Sequence, residues 1–497
     1  MEQKFLPFPG LEIMLYLIDN RKKPAAAGRK IMTTRPKQFM LFFTLVLIFL
    51  ITGCAGLTSL TIQQNFRQIA DETLPLVVQV NTVDIFSQEV PDLDGWDFFF
   101  PDPEGDGESE EREFRTQGLG SGVIVRRNKD TYYVVTNNHV VGEADEVSIT
   151  LHNGRIYPAD LIGKDPRRDL ALVSFSAPGV DIQEARLGDS DSLRIGDIVV
   201  ALGNPFGYSG TVTQGIISGL HRSGPTDISD FIQTDASINQ GNSGGALVDL
   251  KGRVIGINTW ITTPTGGSIG LGFAIPINSV KNVVDQLIES GRVAYGWLGV
   301  SITDTNHDIL ESMKEKDVSG AVVTNIYVDS PAEKAGIRPG DIILNVGRRR
   351  IKNADNLIQA VSDLPVSRDS VFVILRDGES REIPVAVQER ADDDTIRAQS
   401  AKFWPGLRLY PITEALREEL EKIPEKGVYV LAVDRGTPGE SAGLKSGDVI
   451  TRLGETEVHS LDAFYSSLTL AEKKALAVKV HRAGEELELT LGPMKQD

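Results

Sequence analysis

A pentapeptide at 241–245, Gly-Asn-Ser-Gly-Gly, has the residue types that a serine nucleophile and an oxyanion-binding loop need. Glycine tolerates positive φ angles and close backbone approach, so the N–H groups of Gly241 and Ser243 could converge on one point. Such a point could hold the oxygen that becomes negatively charged during acyl transfer. The alternative interpretation is a glycine-rich hairpin turn, because short motifs also recur by chance.

A serine nucleophile needs a general base and an orienting carboxylate, and candidates for both precede the loop. Residues 131–135, Thr-Tyr-Tyr-Val-Val, predict a strand, and His139 follows its end. Asp169 comes directly before the apolar strand predicted for 170–175. Taken singly, His139 could be a satisfied core histidine and Asp169 a solvated carboxylate. The other histidines lie in polar stretches without comparable neighbours.

Three stretches occur in the order histidine, aspartate, serine: TNNHVV at 136–141, RDLALV at 168–173 and TDASINQGNSGGALV at 234–248. Together they resemble the HtrA/Deg serine proteases of the chymotrypsin-like clan. The resemblance implies a double β-barrel with six strands in each barrel. It also implies a homotrimer or a larger homo-oligomer, and chemistry that needs no cofactor and no metal ion.

The same resemblance implies a role for each motif residue. His139 would act as the general base, Asp169 would orient it, and Ser243 would be the nucleophile. The Gly241 and Ser243 amides would form the oxyanion hole, with the Asn242 amide as a further candidate donor.

Two positions beside these residues differ from many relatives. Arg168 stands where many relatives have an uncharged residue, and its cation could stabilise the Asp169 carboxylate or face solvent. Asn242 stands where secreted digestive proteases of the clan have an aspartate that pairs with a freed N-terminus. Because asparagine cannot form that ion pair, we expect activation by a loop rearrangement and not by N-terminal trimming.

The substrate pocket is predicted from the residues just before the nucleophile. In this clan the residue six positions before the serine forms the pocket floor, and here it is Ser237, not a carboxylate. Cleavage after Lys or Arg is therefore disfavoured. Ile238, whose counterpart shapes the pocket in HtrA-like enzymes, predicts a shallow apolar site for Val, Ala, Leu or Ile. The alternative, to which we give equal weight, is that Ile238 is an ordinary residue of the hydrophobic core.

The composition is that of a globular protein. The 497 residues are enough for about three domains, and 48 glycines favour a β-rich architecture with many turns. The net charge is −18, and this acidic balance argues against nucleic-acid binding because nucleic acids are polyanions. With a single cysteine, Cys54, no intramolecular disulfide can form.

Residues 1–54 predict an export signal. Arg35 and Lys37 precede an apolar run at 39–51, which suits a signal-peptide core but is short for a membrane span. Ile-Thr-Gly-Cys at 51–54 resembles a bacterial lipobox, which implies lipidation of Cys54 and anchoring to a membrane on the periplasmic side of the cell envelope. An uncleaved anchor is the alternative. Met32 begins a conventional signal peptide, so we interpret residues 1–31 as a non-native extension.

Residues 55–290 are predicted to form the protease domain. A helical apolar stripe at 55–76 leads into a first barrel strand at 77–84, whose partner is expected at 118–125. The acidic stretch 91–116 between them has little strand pattern. It is either a regulatory loop that reaches a neighbouring subunit or a solvated disordered insertion, and its Phe98, Phe99 and Phe100 are expected to pack against protein.

The end of this domain is also predicted. Residues 270–277 should form the last barrel strand, followed by a helix with Asn278 as its N-cap and Gly291 at its end.

A duplicated segment follows. The stretch Ser330 to Leu344, with Pro331, Gly336 and Asp341, recurs 107 residues later at 437–451. The pattern resembles two PDZ domains, at 291–390 and 403–495, with an unspecified small α+β fold as the alternative. PDZ domains capture peptide C-termini in a nest of backbone amides.

The loop that would capture a peptide carboxylate can be placed in the first copy. The amides of Trp297, Leu298 and Gly299 are the candidate donors. In the second copy Pro405 removes a donor, so that copy is expected to serve assembly more than peptide capture.

The sequence therefore predicts a mostly β protein, with a chymotrypsin-like double β-barrel protease domain followed by two α+β PDZ domains. The predicted function is a serine endopeptidase that degrades unfolded or misfolded proteins in the cell envelope, with PDZ domains that bind peptide C-termini or regulate assembly. One alternative is an envelope chaperone or peptide sensor with a latent protease site. Another is a PDZ scaffold with a vestigial barrel.

Overall fold

The computed structural model describes residues 63–91, 109–204, 210–226, 228, 230–263, 267–420, 423–471 and 474–494. The chain divides into two units, Met1–Phe66 and Arg67–Asp497, and the strands described below all belong to the second. They form two closed barrels followed by two α+β domains, which confirms the predicted fold class. The segment with Cys54 and the aromatic residues Phe98, Phe99 and Phe100 lie outside the described residues.

The first barrel closes from six antiparallel strands in the order β1-β2-β3-β6-β5-β4. These strands are β1 (Val77–Pro91), β2 (Ser109–Asn128), β3 (Thr131–Thr136), β4 (Glu146–Thr150), β5 (Ile156–Asp165) and β6 (Leu170–Ser176), with a one-turn helix α1 (Asn138–Val141) after β3. Val78, Ile124 and Val134 are fully buried inside the barrel, because a closed sheet of this size has room only for its own side chains.

The hairpin formed by β1 and β2 is longer than the sequence suggests. The predicted pairing of 77–84 with 118–125 is confirmed, with Val77 opposite Val123. The ladder continues until Pro91 lies opposite Ser109, so the expectation of little strand structure between 91 and 116 is wrong for 109–116. Ladder hydrogen bonds join main-chain groups, and an acidic sequence without apolar alternation can therefore still form a strand.

The second barrel also has six strands, in the order β10-β11-β12-β9-β8-β7. They are β7 (Ile198–Gly203), β8 (Thr211–Arg222), β9 (Phe231–Thr234), β10 (Ala246–Asp249), β11 (Val254–Ile261) and β12 (Gly272–Pro276). The nucleophile loop 241–245 lies between β9 and β10, and β12 is the predicted last strand.

Helix α2 (Ile277–Ser290) follows the second barrel and buries the predicted apolar face, including Val280, Val283 and Leu287. Gly291 ends it in the left-handed conformation, as predicted. The predicted N-cap is wrong, because the N-cap position is two residues earlier, at Pro276. Asn278 instead donates from Nδ2 to Asp189 Oδ1 at 2.7 Å.

The two repeat domains have the same succession of elements, except that the last strand of the first domain has no counterpart in the second. The first contains β13 (Gly296–Trp297), β14 (Val300–Asp304), α3 (His307–Ser312), β15 (Ala321–Tyr327), α4 (Pro331–Ala335), β16 (Ile342–Val346), β17 (Arg349–Arg350), α5 (Ala354–Ser362), β18 (Asp369–Arg376), β19 (Glu379–Ala386) and β20 (Gln388–Glu389). A linker helix α6 (Asp393–Ala398) comes next. The second contains β21 (Phe403–Trp404), β22 (Leu407–Pro411), α7 (Glu414–Glu419), β23 (Val428–Val433), α8 (Pro438–Ser441), β24 (Val449–Leu453), β25 (Thr456–Glu457), α9 (Leu461–Ala471), β26 (Leu476–Arg482) and β27 (Glu485–Leu491).

The repeats pack together as one body. A single hydrophobic cluster includes Ile309 and Ile342 of the first repeat and Phe464 of the second. Strand β21 also pairs with β15, so that Ile326 lies opposite Trp404. Burial of apolar surface and shared ladder hydrogen bonds therefore both resist separation of the two domains.

Each repeat holds the turn after its short helix with the same buried ion pair. In the first repeat Arg376 donates from Nε and Nη2 to the Asp341 carboxylate, both at 2.6 Å, and also to the Gly336 carbonyl. In the second, Arg482 and Asp448 make the equivalent contacts. Asp341 is 1% exposed, and burial raises its pKa although Arg376 opposes this effect.

We expect Arg376→Ala to destabilise the tandem of repeats by about 3 kcal/mol, because it leaves a buried carboxylate without its cation. The loss of stability should become smaller as the pH falls into the acidic range, since protonation neutralises the Asp341 carboxylate, whose pKa is raised by burial. Scanning calorimetry measures the change, with Arg381→Ala as control, because Arg381 makes only an exposed pair with Glu379. Equal transition temperatures for both variants would contradict the assignment.

Candidate active site

His139 and Asp169 meet across the first barrel. His139 lies in α1 directly after β3, and its Nδ1 is 2.8 Å from Asp169 Oδ2. The His139 N–H donates to the other carboxylate oxygen, Oδ1, at 3.0 Å. Asp169 has φ of +57°, and the buried Asn137 side chain donates to its carbonyl at 2.9 Å. A histidine held in this way at Nδ1 has its Nε2 available for proton transfer.

Ser243 is connected to this pair through Thr259, which lies within strand β11 of the second barrel, where the register with β12 shifts between Asn258 and Trp260. The Ser243 hydroxyl donates to the Thr259 carbonyl at 2.8 Å, and the Thr259 hydroxyl donates to Asp169 Oδ2 at 2.7 Å. Within the described part of the chain, no hydrogen bond joins Ser243 to the His139 ring. The sequence reasoning missed Thr259, because nothing in β11 distinguishes it from an ordinary strand threonine.

The nucleophile loop is attached to the first barrel by Ser121 of β2. The Ser121 N–H donates to the Ser243 carbonyl at 2.8 Å, and its hydroxyl donates to the Gly241 carbonyl at 2.5 Å. Gly244 has φ of +83°, and a Cβ there would lie 2.0 Å from the Ser121 carbonyl oxygen. Glycine at 244 is therefore required both by conformation and by the space beside Ser121.

The predicted oxyanion donors differ in availability. The N–H groups of Gly241 and Ser243 donate to no acceptor among the residues that the structure describes, and Gly241 has φ of +95°. The Asn242 N–H donates to the Asn239 carbonyl at 3.0 Å. Asn242 is therefore not a free donor in this conformation, and its inclusion in the predicted oxyanion hole is corrected.

The two predicted pocket residues lie just before this loop. Ile238 is 1% exposed and packs in the core of the second barrel, as in the core alternative of the sequence analysis. Its side chain fills the space beside Gly272, where a Cβ would lie 2.9 Å from Ile238 Cδ1. Ser237 is half-buried, and its carbonyl accepts a hydrogen bond from the Thr213 hydroxyl at 2.9 Å.

An open cavity of about 450 Å³ lies beside His139. Besides His139, Asp169 and Thr259, it is lined by Pro166, Arg167, Pro225, Thr226, Trp260 and Asp393. Asp393 comes from the linker helix α6 between the two repeats. The sequence contains no signal that would place this helix near His139, because the two segments are more than two hundred residues apart.

Arg168 does not face solvent, so that one of its two sequence interpretations is wrong. Its side chain is 5% exposed, and its guanidinium pairs with the carboxylate of Asp363, which directly follows α5 of the first repeat. Burial alone would lower the pKa of Arg168, but the facing Asp363 carboxylate raises it above the ordinary value. Nearby, the Tyr295 hydroxyl donates to Asp165, whose pKa is raised by burial. The segment that ends in Asp169 is thus attached to the first repeat.

The predicted carboxylate loop of the first repeat borders a cleft of about 560 Å³, and Trp297, Leu298 and Gly299 all line it. Trp297 belongs to β13 and lies opposite Gln388 of β20. Gly299 adopts the left-handed conformation with φ of +81°.

Among the described ranges, no group of three His, Cys, Asp or Glu side chains is placed to hold a metal ion. None of the described helices is both long and apolar enough to cross a membrane.

Family models agree with this architecture. A model described as a trypsin-like peptidase domain matches residues 120–257, and a PDZ domain model matches 296–387 and again 406–492. The fold and the matched domains therefore define a trypsin-like serine peptidase with two PDZ domains.

Curated proteins match most of the chain. Periplasmic serine endoprotease DegP of Escherichia coli K12 is 36% identical over 443 residues, which cover 89% of this chain and 88% of DegP. A probable periplasmic serine protease do/HhoA-like of Haemophilus influenzae is 36% identical over 450 residues, covering 88% and 93%. The chain belongs to the HtrA/DegP family of serine endoproteases, and it is a serine endopeptidase.

A solved structure agrees as well. The HtrA-type protease AlgW with decapeptide is 36% identical, with a TM-score of 0.53, over 66% of this chain and 99% of that chain.

We expect Thr259→Val to lower kcat/KM for peptide hydrolysis about tenfold, because it removes a hydrogen bond to the Asp169 carboxylate while keeping the side-chain shape. Steady-state kinetics on a chromogenic peptide measures the loss. Thr490→Val is the matched control, since Thr490 lies exposed on the second PDZ domain. An unchanged kcat/KM in Thr259→Val would show that this hydroxyl contributes nothing to the site.

Proposed function

We propose that the protein cleaves polypeptides through an acyl-enzyme formed on Ser243, with His139 as general base and Asp169 as its orienting carboxylate. The observation that supports this most directly is the 2.8 Å contact between His139 Nδ1 and Asp169 Oδ2, linked to the Ser243 hydroxyl through Thr259. The carboxylate holds the Nδ1–H tautomer, so Nε2 accepts the serine proton and later donates it to the leaving amine.

Attack on a substrate requires a small local rotation. The Ser243 hydroxyl must leave the Thr259 carbonyl and turn toward His139 Nε2. The Gly241 and Ser243 amides then donate to the tetrahedral oxyanion, and a donor of this kind is worth about 3 kcal/mol of transition-state stabilisation. The reaction requires no cofactor.

The proposed substrates are unfolded or misfolded proteins of the cell envelope. An extended segment is needed to reach a serine that lies between two barrels, and folded domains rarely supply one. The periplasmic relatives named above support a location on the periplasmic side. Lipidation at Cys54, peptide binding by the first PDZ domain and assembly into a homotrimer or larger oligomer are further parts of the proposal.

The second candidate function is a chaperone or peptide sensor with a latent protease site. The hydrogen bond from Ser243 to Thr259 favours it, because that bond holds the hydroxyl away from its base. In this case substrate cleavage would require an activating signal.

Incubation with unfolded casein distinguishes the two functions. We expect fragments from the wild-type protein and from Ser466→Ala, an exposed serine of the second PDZ domain, as resolved by electrophoresis. Ser243→Ala should lower the rate at least about a thousandfold, because the nucleophile is gone. If neither the wild-type protein nor Ser243→Ala cleaves casein, the result supports a chaperone or peptide sensor with a latent protease site. Equal cleavage by both contradicts the proposed nucleophile.

The pocket proposal gives a cleavage preference. We expect cuts mainly after Val, Ala, Leu or Ile, because Ser237 places no negative charge at the pocket floor. Mass spectrometry of casein fragments identifies the residues before the cuts. Ser237→Asp should add cleavage after Lys or Arg, since the new carboxylate attracts a cation. Dominant cleavage after Lys or Arg by the wild-type protein would contradict the pocket assignment.

A further inference from the structure

A further cavity lies between the first PDZ domain and the second barrel with its following helix α2. Its volume is about 570 Å³, which is within the range of about 300 to 1,000 Å³ that small-molecule sites have. It shares no lining residue with the cavity beside His139 or with the cleft of the first PDZ domain. The chemistry proposed for Ser243 therefore leaves this cavity without a role.

The first PDZ domain contributes a basic hairpin to the cavity, residues 348–352, with the sequence Arg-Arg-Arg-Ile-Lys. Gly347 has φ of +56°, which lets β16 and β17 join through a turn of two residues. Ile351 is fully buried in the domain core, and the residues on either side of it, Arg350 and Lys352, are exposed at the cavity. The buried isoleucine therefore fixes the backbone from which both cations project.

Four of the lining side chains compensate one another in pairs. Arg349 pairs with Asp363 at 3.3 Å, and His221 pairs with Asp230 at 2.9 Å. The hydrogen bond to Asp230 raises the pKa of His221, so this pair favours an imidazolium beside a carboxylate. These four groups therefore do not require the charge of a ligand.

The remaining cations of the basic hairpin are not compensated. Within the described part of the chain, Arg348, Arg350 and Lys352 form no ion pair. Asp191, in the segment before β7, is the lining carboxylate that has no cation partner among the described residues. Three cations against one carboxylate leave a balance of +2, in a protein whose net charge is −18. The cavity therefore attracts anions although the chain as a whole repels them.

Helix α2 supplies neutral hydrogen-bond donors on the other wall. The Ser279 hydroxyl and the Asn282 side-chain amide line the cavity. Neither side chain forms a hydrogen bond with another of the residues that the structure describes. Both are therefore available to a ligand.

Contacts beside the cavity hold its two walls in place. Gln359 of α5 donates to Asp230, and Ser223, which follows β8, donates to Asp355 of α5. The second barrel and the first PDZ domain are thus already in contact around the cavity. A ligand does not have to bring the two domains together, and this lowers the entropic cost of binding.

A phosphate group matches this combination of charge and donors. A phosphate monoester carries about −1.5 to −2 charges at neutral pH, and its oxygens accept from the paired N–H groups of an arginine as well as from hydroxyl and amide donors. We propose that the cavity binds a compact phosphate compound, held by Arg348, Arg350 and Lys352 on one side and by Ser279 and Asn282 on the other. Such a ligand connects the first PDZ domain to helix α2.

Isothermal titration calorimetry with inorganic pyrophosphate, without divalent cations, tests the proposal on the full-length protein. We expect one pyrophosphate per chain. Arg348→Gln combined with Lys352→Gln should weaken binding at least about tenfold, because two charge-assisted contacts are lost. The matched control, Arg417→Gln combined with Lys426→Gln, removes one exposed arginine and one exposed lysine from the second PDZ domain and should bind as the wild type does. Equal affinity of the two double variants, or no binding by the wild type, overturns the proposal.

A further variant tests the wall formed by α2. Ser279→Asp places a carboxylate at the cavity, and the fold should be kept because a negative charge is favourable in the first turn of a helix. We expect about tenfold weaker binding of pyrophosphate, because like charges repel, with an unchanged or higher unfolding temperature. Undiminished affinity would show that the exposed hairpin alone holds the anion, and the bridging site would be wrong.

The phosphate group could belong to a soluble compound or to a lipid head group, and vesicles distinguish these sources. Sedimentation compares phosphatidylcholine vesicles with and without phosphatidic acid. Additional binding to phosphatidic acid that pyrophosphate displaces supports a lipid head group, and no additional binding supports a soluble compound. Additional binding that pyrophosphate does not displace, and that persists in the Arg348→Gln and Lys352→Gln double variant, contradicts the site. None of these measurements depends on peptide cleavage, so their outcome is independent of the proposed role of Ser243.

Discussion

Ser121 carries the contact on which the geometry of the active site depends. From the first barrel it donates to two carbonyls of the nucleophile loop, those of Gly241 and Ser243, and its own carbonyl accepts from Thr136. Ser121, Thr136 and Gly241 are buried, and an unpaired buried polar group would cost about 1 to 3 kcal/mol. The loop of the second barrel therefore cannot take its shape until the first barrel is folded against it, and the site exists only where the barrels meet.

The other half of the site is attached to the first PDZ domain. Arg168, the neighbour of Asp169, pairs with Asp363 at the end of helix α5, and α5 also forms one wall of the 560 Å³ cleft of the first PDZ domain. The same helix contacts the second barrel, because Gln359 donates to Asp230. Helix α5 and the residue that follows it therefore contact the segment before Asp169, the second barrel and the cleft of the first PDZ domain.

The two PDZ domains also share their interior. A hydrophobic cluster crosses the boundary between them, and Asn325 places a polar side chain in the amide nest of the second domain. The duplicated domains have similar loops at Gly299 and Gly406, but the buried Asn325 side chain binds only the loop at Gly406. The loop of the second domain binds the side chain of Asn325, and the loop of the first domain borders a cleft of about 560 Å³.

The sequence alone determined whatever depends on near neighbours in the chain. The mostly β class, the duplicated domains, the end of α2 at Gly291 and the order of His139, Asp169 and Ser243 were all predictable, because turn chemistry, apolar patterning and short motifs are local. Only the tertiary structure decided three contacts. Arg168 pairs with Asp363, Asn325 accepts hydrogen bonds from the loop of the second PDZ domain, and the Thr259 hydroxyl donates to Asp169. Each depends on a partner many residues away, and no local pattern records which distant surface will exclude water from a charge or a hydrogen bond.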